Sequence, residues 1–438
     1  MVSSLTRLLA RLRSALRPRT QEERNVLCLV LEIAFQGVVA GAGGSYLSVF
    51  AARLGASTIL IGLLASVPAL LLTVLSIPVG QFVSRSRRLV PIVVWGGLAF
   101  QCAYLFIGLA PWLTPGFAAQ TVVAVWSAAA VALAFASVAF TAVLAEATPP
   151  TRRANIITLR FAVHSLVAVV TLQVTARVLV WLPFPLNYQV LFIGTFLAAM
   201  ASTLILSRVR LPEQRRVVDA TGPPTPLWRR LRMAVDALRS ESAFSRYLTS
   251  STVFRLGMAL PGPLYSIYWV HHLHLSDDSI ALAITLNYVF SLIGFYVWGR
   301  ISRRWGRAFA LAASCLGLSA YPLVTGLARS FTPIIFVSMI GGFFSAGMSV
   351  SFLDVLLATA PAGQRPSYVA LDATVANATA FVGPLLGSAL ADGLGIRVAL
   401  IIGFGVRLVG GSLFALRPVR PSAGEGSRAP AASREASR

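Results

Sequence analysis

Long apolar runs, each of about twenty residues, recur along this 438-residue chain between short stretches rich in arginine, glycine or proline. A helix needs about 20 mostly apolar residues to cross a bilayer. Twelve runs meet this requirement, at about residues 25–50, 58–82, 89–111, 117–146, 155–182, 187–207, 246–270, 278–299, 308–328, 332–358, 367–391 and 396–416. The pattern predicts an all-α integral membrane protein with twelve transmembrane helices.

Composition argues against the other broad classes of protein. Only 12% of the residues are charged, whereas ordinary soluble domains carry about 25%. Disordered chains are poor in apolar residues, and here 56% are hydrophobic. The sequence has no lysine, which excludes the usual ATP-binding loop. It also has neither the spacing of a zinc site nor that of a catalytic triad. We therefore expect no enzyme activity, no cofactor and no metal site.

The basic residues, all of them arginine, fall mainly in alternate loops. If the amino terminus is cytoplasmic, about 30 of the 37 lie on the cytoplasmic side, and the opposite loops hold only Arg53, Arg329 and Arg397. This bias obeys the positive-inside rule. It predicts a multi-pass protein of the plasma (inner) membrane with both termini cytoplasmic. The net charge of +22 thus reflects topology, so the expected surroundings are the lipid bilayer and no nucleic-acid partner is expected.

The loops divide the chain into five predicted segments. These are a basic amphipathic cytoplasmic amino terminus (1–24), a first six-helix bundle (25–207), a cytoplasmic linker with an amphipathic helix (208–245), a second six-helix bundle (246–417) and a disordered cytoplasmic tail (418–438). We expect the protein to be a monomer.

The two bundles contain an internal repeat with a constant shift of 219 residues, which pairs Gly80 with Gly299 and Arg85 with Arg304. The repeated element reads GQFVSRSRR after the second span and GRISRRWGR after the eighth. Both copies resemble the signature of the major facilitator superfamily, and the resemblance covers about residues 25–417. It implies two pseudo-symmetric six-helix bundles that transport a solute by alternating access. The glycine-rich signature of drug/proton antiporters is not found in span 5, so no subfamily is assigned; we expect a bacterial member.

By this resemblance the repeated element is a conformational-gate motif. Its residues are Gly80, Arg85, Arg87, Arg88, Gly299, Arg303, Arg304, Gly306 and Arg307. Small residues allow close helix packing in membranes, so Gly80 and Gly299 are expected to lie where neighbouring helices approach. The acidic residue of the family's motif is replaced by Ser84 and Arg303, which puts the family's gating salt bridge in doubt.

Ionisable residues at membrane depth are costly, and each is a functional-site hypothesis. Glu32 and Gln36 lie one helical turn apart, and Arg160 and His164 belong to a polar stripe on span 5. The residues expected to contact substrate or a coupling ion are Glu32, Gln36, His164, Arg255, Asn287, Asp354 and Asp372. Two structural alternatives remain open: Glu32 pairs with a neighbouring arginine, or Arg255, Asp354 and Asp372 form a static buried charge cluster.

These features favour a secondary active transporter of an unidentified small solute. We expect protons rather than sodium as the coupling ion, because carboxylates and a histidine are the available carriers. The alternative is a transporter-like membrane protein that acts as a sensor, assembly factor or partner-binding module without flux. The outer loop with His271, His272 and His274 is either a metal or pH-sensing site or merely solvated.

Overall fold

The computed structural model describes residues 20–148, 152–211, 232, 243–360 and 365–416. Most of the predicted basic amino terminus, the predicted linker helix and the predicted tail therefore lie outside the described residues. The described part of the chain is all α-helical, with no strand, as predicted.

Twelve helical elements follow one another along the described residues. They are α1 (Gln21–Val39, a π-helical turn Ala40–Gly44, and Ser45–Arg53), α2 (Thr58–Arg85), α3 (Leu89–Leu113), α4 (Ala118–Ala147), α5 (Arg153–Trp181), α6 (Leu186–Leu206), α7 (Ala243–Ala259, Gly262–Ile267 and a π-helical turn Tyr268–His272), α8 (Asp277–Trp305), α9 (Arg307–Leu327), α10 (Phe331–Thr359), α11 (Arg365–Leu394) and α12 (Ile396–Leu416). Most ends lie within a few residues of the predicted spans. We call the ends that meet the arginine-rich loops the inner ends, and the opposite ends the outer ends.

Eleven described helices are long and apolar enough to cross a membrane, one fewer than predicted. The exception is α7, whose helical segments stop at Ala259 and resume at Gly262. Proline has no backbone N–H and its ring clashes with the preceding turn, so Pro261 and Pro263 interrupt the helix. The predicted seventh span is thus present as a discontinuous helix.

The internal repeat is visible in the backbone. Asp277 begins α8 and Thr58 begins α2, 219 residues earlier. Both helices start after a serine in extended conformation. Gly55 and His274, which share the same shift, are both left-handed, with φ of 80° and 49°. The matching turns show that each half brings its second helix back into the membrane with the same local geometry.

The first helix of each half is also distorted at the repeat-related position. Ala42, in the π-helical turn of α1, has φ −104° and ψ −108°. Pro261 follows it by 219 residues and lies in the break of α7. Broken helices in transporters leave backbone groups free near a binding site at the repeat interface. Distortion is thus built into both halves at equivalent places.

The two halves are joined at their outer ends. One buried apolar cluster there draws side chains from both halves, including Tyr46, Phe50 and Tyr188 from the first and Tyr268 and Ile280 from the second. The apolar clusters nearer the inner ends each draw on one half alone among the described residues. Hydrogen bonds between the halves also lie towards the outer side, from Gln173 to Thr285 at 2.8 Å and from Ser388 to the carbonyl of Thr58 at 3.0 Å.

Candidate functional site

A cavity of about 350 Å³ lies inside the first bundle, between α1, α3, α4, α5 and α6. Three of the predicted site residues, Glu32, Gln36 and His164, line it together. Its polar lining comprises Glu32, Gln36, Gln101, Ser137, Arg160, His164, Ser202 and Thr203, and Phe100, Tyr104 and Phe140 are its aromatic walls. The cavity therefore combines apolar surface with a few convergent polar groups, as small-molecule sites do.

Glu32 and Arg160 form a buried ion pair on the wall of this cavity. Arg160 Nη1 lies 2.9 Å from Glu32 Oε2, and the two residues are 6% and 5% exposed. The same Nη1 donates to the carbonyl of Leu29, and the guanidinium carbon lies 5.1 Å from the centre of the Phe140 ring. Glu32 Oε2 thus has its counter-charge in direct contact.

The amide donors of two glutamines in the cavity are bound to protein acceptors, while one amide oxygen is not. Gln36 Nε2 donates to Ser202 Oγ at 3.0 Å, and Gln101 Nε2 donates to Thr203 Oγ1 at 2.6 Å. Gln101 Oε1 is buried without a hydrogen-bond partner among the described atoms, whereas Glu32 Oε2 has Arg160 Nη1 at 2.9 Å. Sequence reasoning missed Gln101, although a lone glutamine within the apolar third span was a usable signal.

Arg255 and Asp372 form a bidentate ion pair between α7 and α11 in the second bundle. Nη1 and Nη2 of the arginine lie 2.9 Å and 3.0 Å from Oδ1 and Oδ2 of the aspartate. The Tyr247 hydroxyl donates to Asp372 Oδ1 at 3.2 Å, and the guanidinium lies 4.9 Å from the centre of the Phe352 ring. Two parallel N–H···O bonds fix both geometry and charge, so this pair holds the inner parts of α7 and α11 together.

Asp354 and Asn287 lie elsewhere than this pair. Asp354 is exposed on α10, and its backbone carbonyl accepts from Arg307 at 3.5 Å. The predicted three-member charge cluster is therefore wrong for Asp354, because its side chain is exposed and not buried with the Arg255–Asp372 pair. Asn287 donates to the carbonyl of Ser338 at 3.2 Å and lies between α8 and α10.

Arg407 occupies an unexpected place beside the break in α7. It is 3% exposed, and it donates to the carbonyls of Gly257 at 3.3 Å, Met258 at 3.5 Å and Leu318 at 3.2 Å. Because Pro261 has no N–H, the Gly257 carbonyl has lost its usual helical donor. The guanidinium of Arg407 replaces that donor, which gives this buried cation a structural role.

The gate-motif residues lie at the inner ends of the helices. A Cβ atom added at Gly80 would meet no described atom within 4 Å, and one at Gly299 would meet only the flexible end of Arg303, at 3.7 Å. Neither glycine lies at a close helix contact in this arrangement, so their part in close helix approach stays a prediction. Close approach occurs instead at Gly383 and Gly387, where an added Cβ would strike the Ala259–Leu260 backbone of α7.

A network at the outer ends links the halves through one carboxylate. Asp277 Oδ1 accepts from Arg53 Nη2 at 2.8 Å and from the Tyr188 hydroxyl at 2.8 Å. The Tyr46 hydroxyl donates to the backbone carbonyl of Asp277 at 3.1 Å. We call Arg53, Asp277, Tyr188 and Tyr46 the outer latch. Sequence reasoning had noted Asp277 only as a neighbour of the outer-loop histidines.

The outer-loop histidines lie next to this latch. His271, His272 and His274 are exposed. Within the described ranges no group of three or more His, Cys, Asp or Glu residues has the spacing of a metal site.

The chain resembles known proteins in sequence over part of its length and in fold over most of it. Residues 247–437 match the family model of the Major Facilitator Superfamily. The multidrug resistance protein MdtG of Proteus mirabilis is 30% identical over 156 residues, which is 33% of this chain and 37% of that protein. The MdtG protein of Citrobacter koseri is 29% identical over 174 residues, 36% of this chain and 41% of its own. The match thus spans less than half the length of these curated relatives.

Solved structures resemble almost the whole chain. The nucleoside transporter NupG superposes with a TM-score of 0.66 at 14% identity, covering 90% of this chain and 99% of its own. A bacterial homolog of the human lysosomal transporter Spinster, in an inward-facing and occupied conformation, superposes with a TM-score of 0.65 at 14% identity, covering 89% and 95%. These likenesses establish the fold. The sequence match to the Major Facilitator Superfamily is thus confined to the second half of the chain, whereas the likeness in fold covers nearly all of it.

Proposed function

We propose that this protein is a secondary active transporter that moves a small organic solute across the membrane by alternating access. The observation that carries the proposal is the asymmetric contact between the halves. A shared apolar cluster and the outer latch join them at the outer ends, whereas the described inner apolar clusters are separate. When two rigid bundles are in contact at their outer ends, a rocking motion is enough to separate them there and bring their inner ends together.

The cavity of the first bundle is our candidate for the solute site. Gln101 Oε1 is a free acceptor in it, and Glu32 supplies a carboxylate that it shares with Arg160. A ligand that donates hydrogen bonds beside an aromatic surface, such as an organic amine, complements this arrangement. Asp372 and Arg255 are paired and serve structure or gating in this proposal, and Asn287 and Asp354 rank below Glu32 as solute contacts.

Coupling to protons is part of the proposal. Glu32 and His164 are the titratable groups of the cavity that are able to exchange a proton, and Arg160 is the cation that faces both. No cofactor is required, because a proton gradient supplies the driving force.

The proposed topology follows from the arginines of the inner ends. Arg85, Arg87, Arg303 and Arg304 are exposed there. The positive-inside rule then makes these ends cytoplasmic, with both termini inside. We propose the inner membrane of a bacterium as the location and a monomer as the working unit.

Purified protein in liposomes tests this function directly. An imposed pH gradient should drive uptake of at least one compound from a panel of organic amines, zwitterions, anions and neutral solutes, and Glu32→Gln should abolish it. The matched control Glu22→Gln removes a carboxyl from an exposed position of α1 and should leave flux unchanged. No flux across the panel for the intact protein would instead favour a sensor, assembly or partner-binding role.

A further inference from the structure

A second cavity lies at the inner ends of α8, α9 and α10, remote from the solute site. It measures about 250 Å³, and we call it the rim pocket. Its walls include Trp305, Arg307, Phe309 and Val355, and Gly306 forms the turn beneath it. Gly306 has φ 87°, a value that lets the chain pass from α8 to α9 in a single residue.

Two aromatic side chains flank the rim pocket and remain open to the surroundings. Trp305 is 60% exposed and Phe309 is 44% exposed. Their ring centres are 4.9 Å apart with an interplanar angle of 67°, so they form a stable edge-to-face pair. Aromatic residues at a helix end mark the depth of the lipid headgroups. The pocket therefore opens where the acyl chains of the bilayer meet the headgroups.

The surface around the rim pocket is strongly positive. Arg300, Arg303, Arg304 and Arg307 are all exposed on consecutive turns, and the Arg300 guanidinium carbon lies 3.8 Å from the Tyr296 ring centre. The acidic side chain of the adjoining helix is Asp354, which is exposed. Four guanidinium groups against one carboxylate leave a net positive rim, and basic pockets between membrane helices recognise anionic headgroups.

The two longest segments outside the described residues are poor candidates to fill this pocket. The stretch 212–242 contains more arginine than acidic residues, and so does the tail 417–438. Their net positive charge is repelled by the arginine rim. The favoured occupant is negatively charged at one end and apolar at the other.

We propose that the rim pocket is a binding site for an anionic phospholipid. The phosphate lies among the arginines of the rim, and an acyl chain lies against Trp305 and Phe309. This site is separate from the proposed transport function, and its occupancy is measured without any assay of flux.

The first half of the chain supplies a matched comparison. By the 219-residue shift, Trp305 corresponds to Ser86 and Phe309 to Val90, whereas Arg307 corresponds to Arg88. The inner end of α2 thus carries exposed arginines without the aromatic pair. If charge alone attracts the lipid, the inner ends of α2 and α8 will bind it equally well. If binding requires the rim pocket, only the inner end of α8 will bind it.

Native mass spectrometry of the full-length protein in detergent, titrated with phosphatidylglycerol or phosphatidylcholine, tests the proposal. Tight retention of phosphatidylglycerol, but not phosphatidylcholine, is the expected result. Replacing Arg303 and Arg304 by alanine should weaken that binding about fivefold for each arginine removed. Trp305→Ser, which imitates the first half, should weaken it as well, while the double change Arg87→Ala and Arg88→Ala should leave it within about twofold.

Equal losses in the two arginine pairs, or equal retention of both lipids, would overturn the proposal in favour of diffuse charge attraction. A second measurement uses the native protein and a conservative variant, Trp305→Phe, that should fold normally. Brominated phosphatidylglycerol should quench the tryptophan fluorescence of the native protein more than that of Trp305→Phe, and the same quenching in both would also exclude the site.

Discussion

Arg53 of the first half and Asp277 of the second form an ion pair at 2.8 Å across the outer ends of α1 and α8. Both side chains are less than one-third exposed, and the Tyr188 hydroxyl donates to the same oxygen of the aspartate. This contact is lost if the outer ends separate, so it stabilises the outer-closed arrangement over any arrangement open at that side.

Breaking the outer latch should therefore favour outer opening. Asp277→Asn removes the charge, and we expect a shift of roughly 1–2 kcal/mol, which is about fivefold to thirtyfold in population. The readout is the rate at which an impermeant maleimide modifies Ala56→Cys, buried at the outer end, in a background without the three native cysteines. Arg53→Ala should act alike, whereas Arg329→Ala, at an exposed outer position, should not; an unchanged rate for both latch variants would refute this role.

The Arg255–Asp372 pair should be chiefly a stability element. Asp372→Asn leaves the charge of Arg255, whose side chain is 21% exposed, without its partner, so the free energy of unfolding should fall by about 3 kcal/mol. Thermal unfolding of the purified protein measures this loss. Asp354→Asn, an equal change at an exposed position, should shift the midpoint little. A large effect of Asp354→Asn would show that Asp354 has a role that this conformation does not reveal.

Ligand affinity should depend on two oxygens of the cavity, the Glu32 carboxylate oxygen beside Arg160 and the free amide oxygen of Gln101. A hydrogen bond to a charged group contributes about 1.5–3 kcal/mol, so Glu32→Gln should weaken binding of a transported amine about tenfold to a hundredfold. Gln101→Leu removes the neutral acceptor and should weaken it less. Isothermal titration of detergent-purified protein gives both values. Unaltered affinity in both variants would place the solute site elsewhere, for example between the two halves.

Arg407 should be required for a stable break in α7. Arg407→Met leaves the Gly257 carbonyl without a donor in an apolar setting, and we expect a loss of about 2–4 kcal/mol in the free energy of unfolding. Arg177→Met is the matched control, since Arg177 is exposed on α5 and its side chain is able to reach the headgroups. Equal stability of the two variants would argue against the capping role.

The glycines of the repeated motif should differ sharply in their tolerance of alanine. Gly306 has φ 87° and ψ 154°, a region that is essentially limited to glycine, so Gly306→Ala should cost about 1–3 kcal/mol. Gly299→Ala meets only a flexible arginine end and should be close to neutral or slightly stabilising within a helix. Comparison of thermal unfolding midpoints separates the two, and a severe loss at Gly299 would support the close-packing interpretation.

Some of the residues that line the cavity could be predicted from the sequence, and others could not. Glu32, Gln36 and His164 were expected from their cost in the membrane, and the structure brings them together on one wall. The partner of Glu32 was left open, because no spacing along the chain relates α1 to α5. Gln101 was overlooked, since a neutral amide carries a weaker penalty in an apolar span than a charge does.

The sequence by itself determined the helices, their inner ends and the repeat. Transfer of an apolar run into the bilayer is a local property, so hydropathy alone located nearly every helix end. The left-handed residues Gly55 and His274, 219 positions apart, follow from the same local repetition. Even the break in α7 follows from Pro261 and Pro263 in the sequence, although the mean hydropathy over twenty residues does not reveal it.

Only the tertiary structure decided which charges meet. Asp354 and Asp372 are both carboxylates in apolar helices, yet one is exposed and the other binds Arg255 on two oxygens. The same holds for Asp277, whose partner Arg53 lies 224 positions away in the chain. Ion pairs depend on distances of a few ångströms between helices, and these are set by how the helices rotate and pack, not by the hydropathy that places each helix in the membrane.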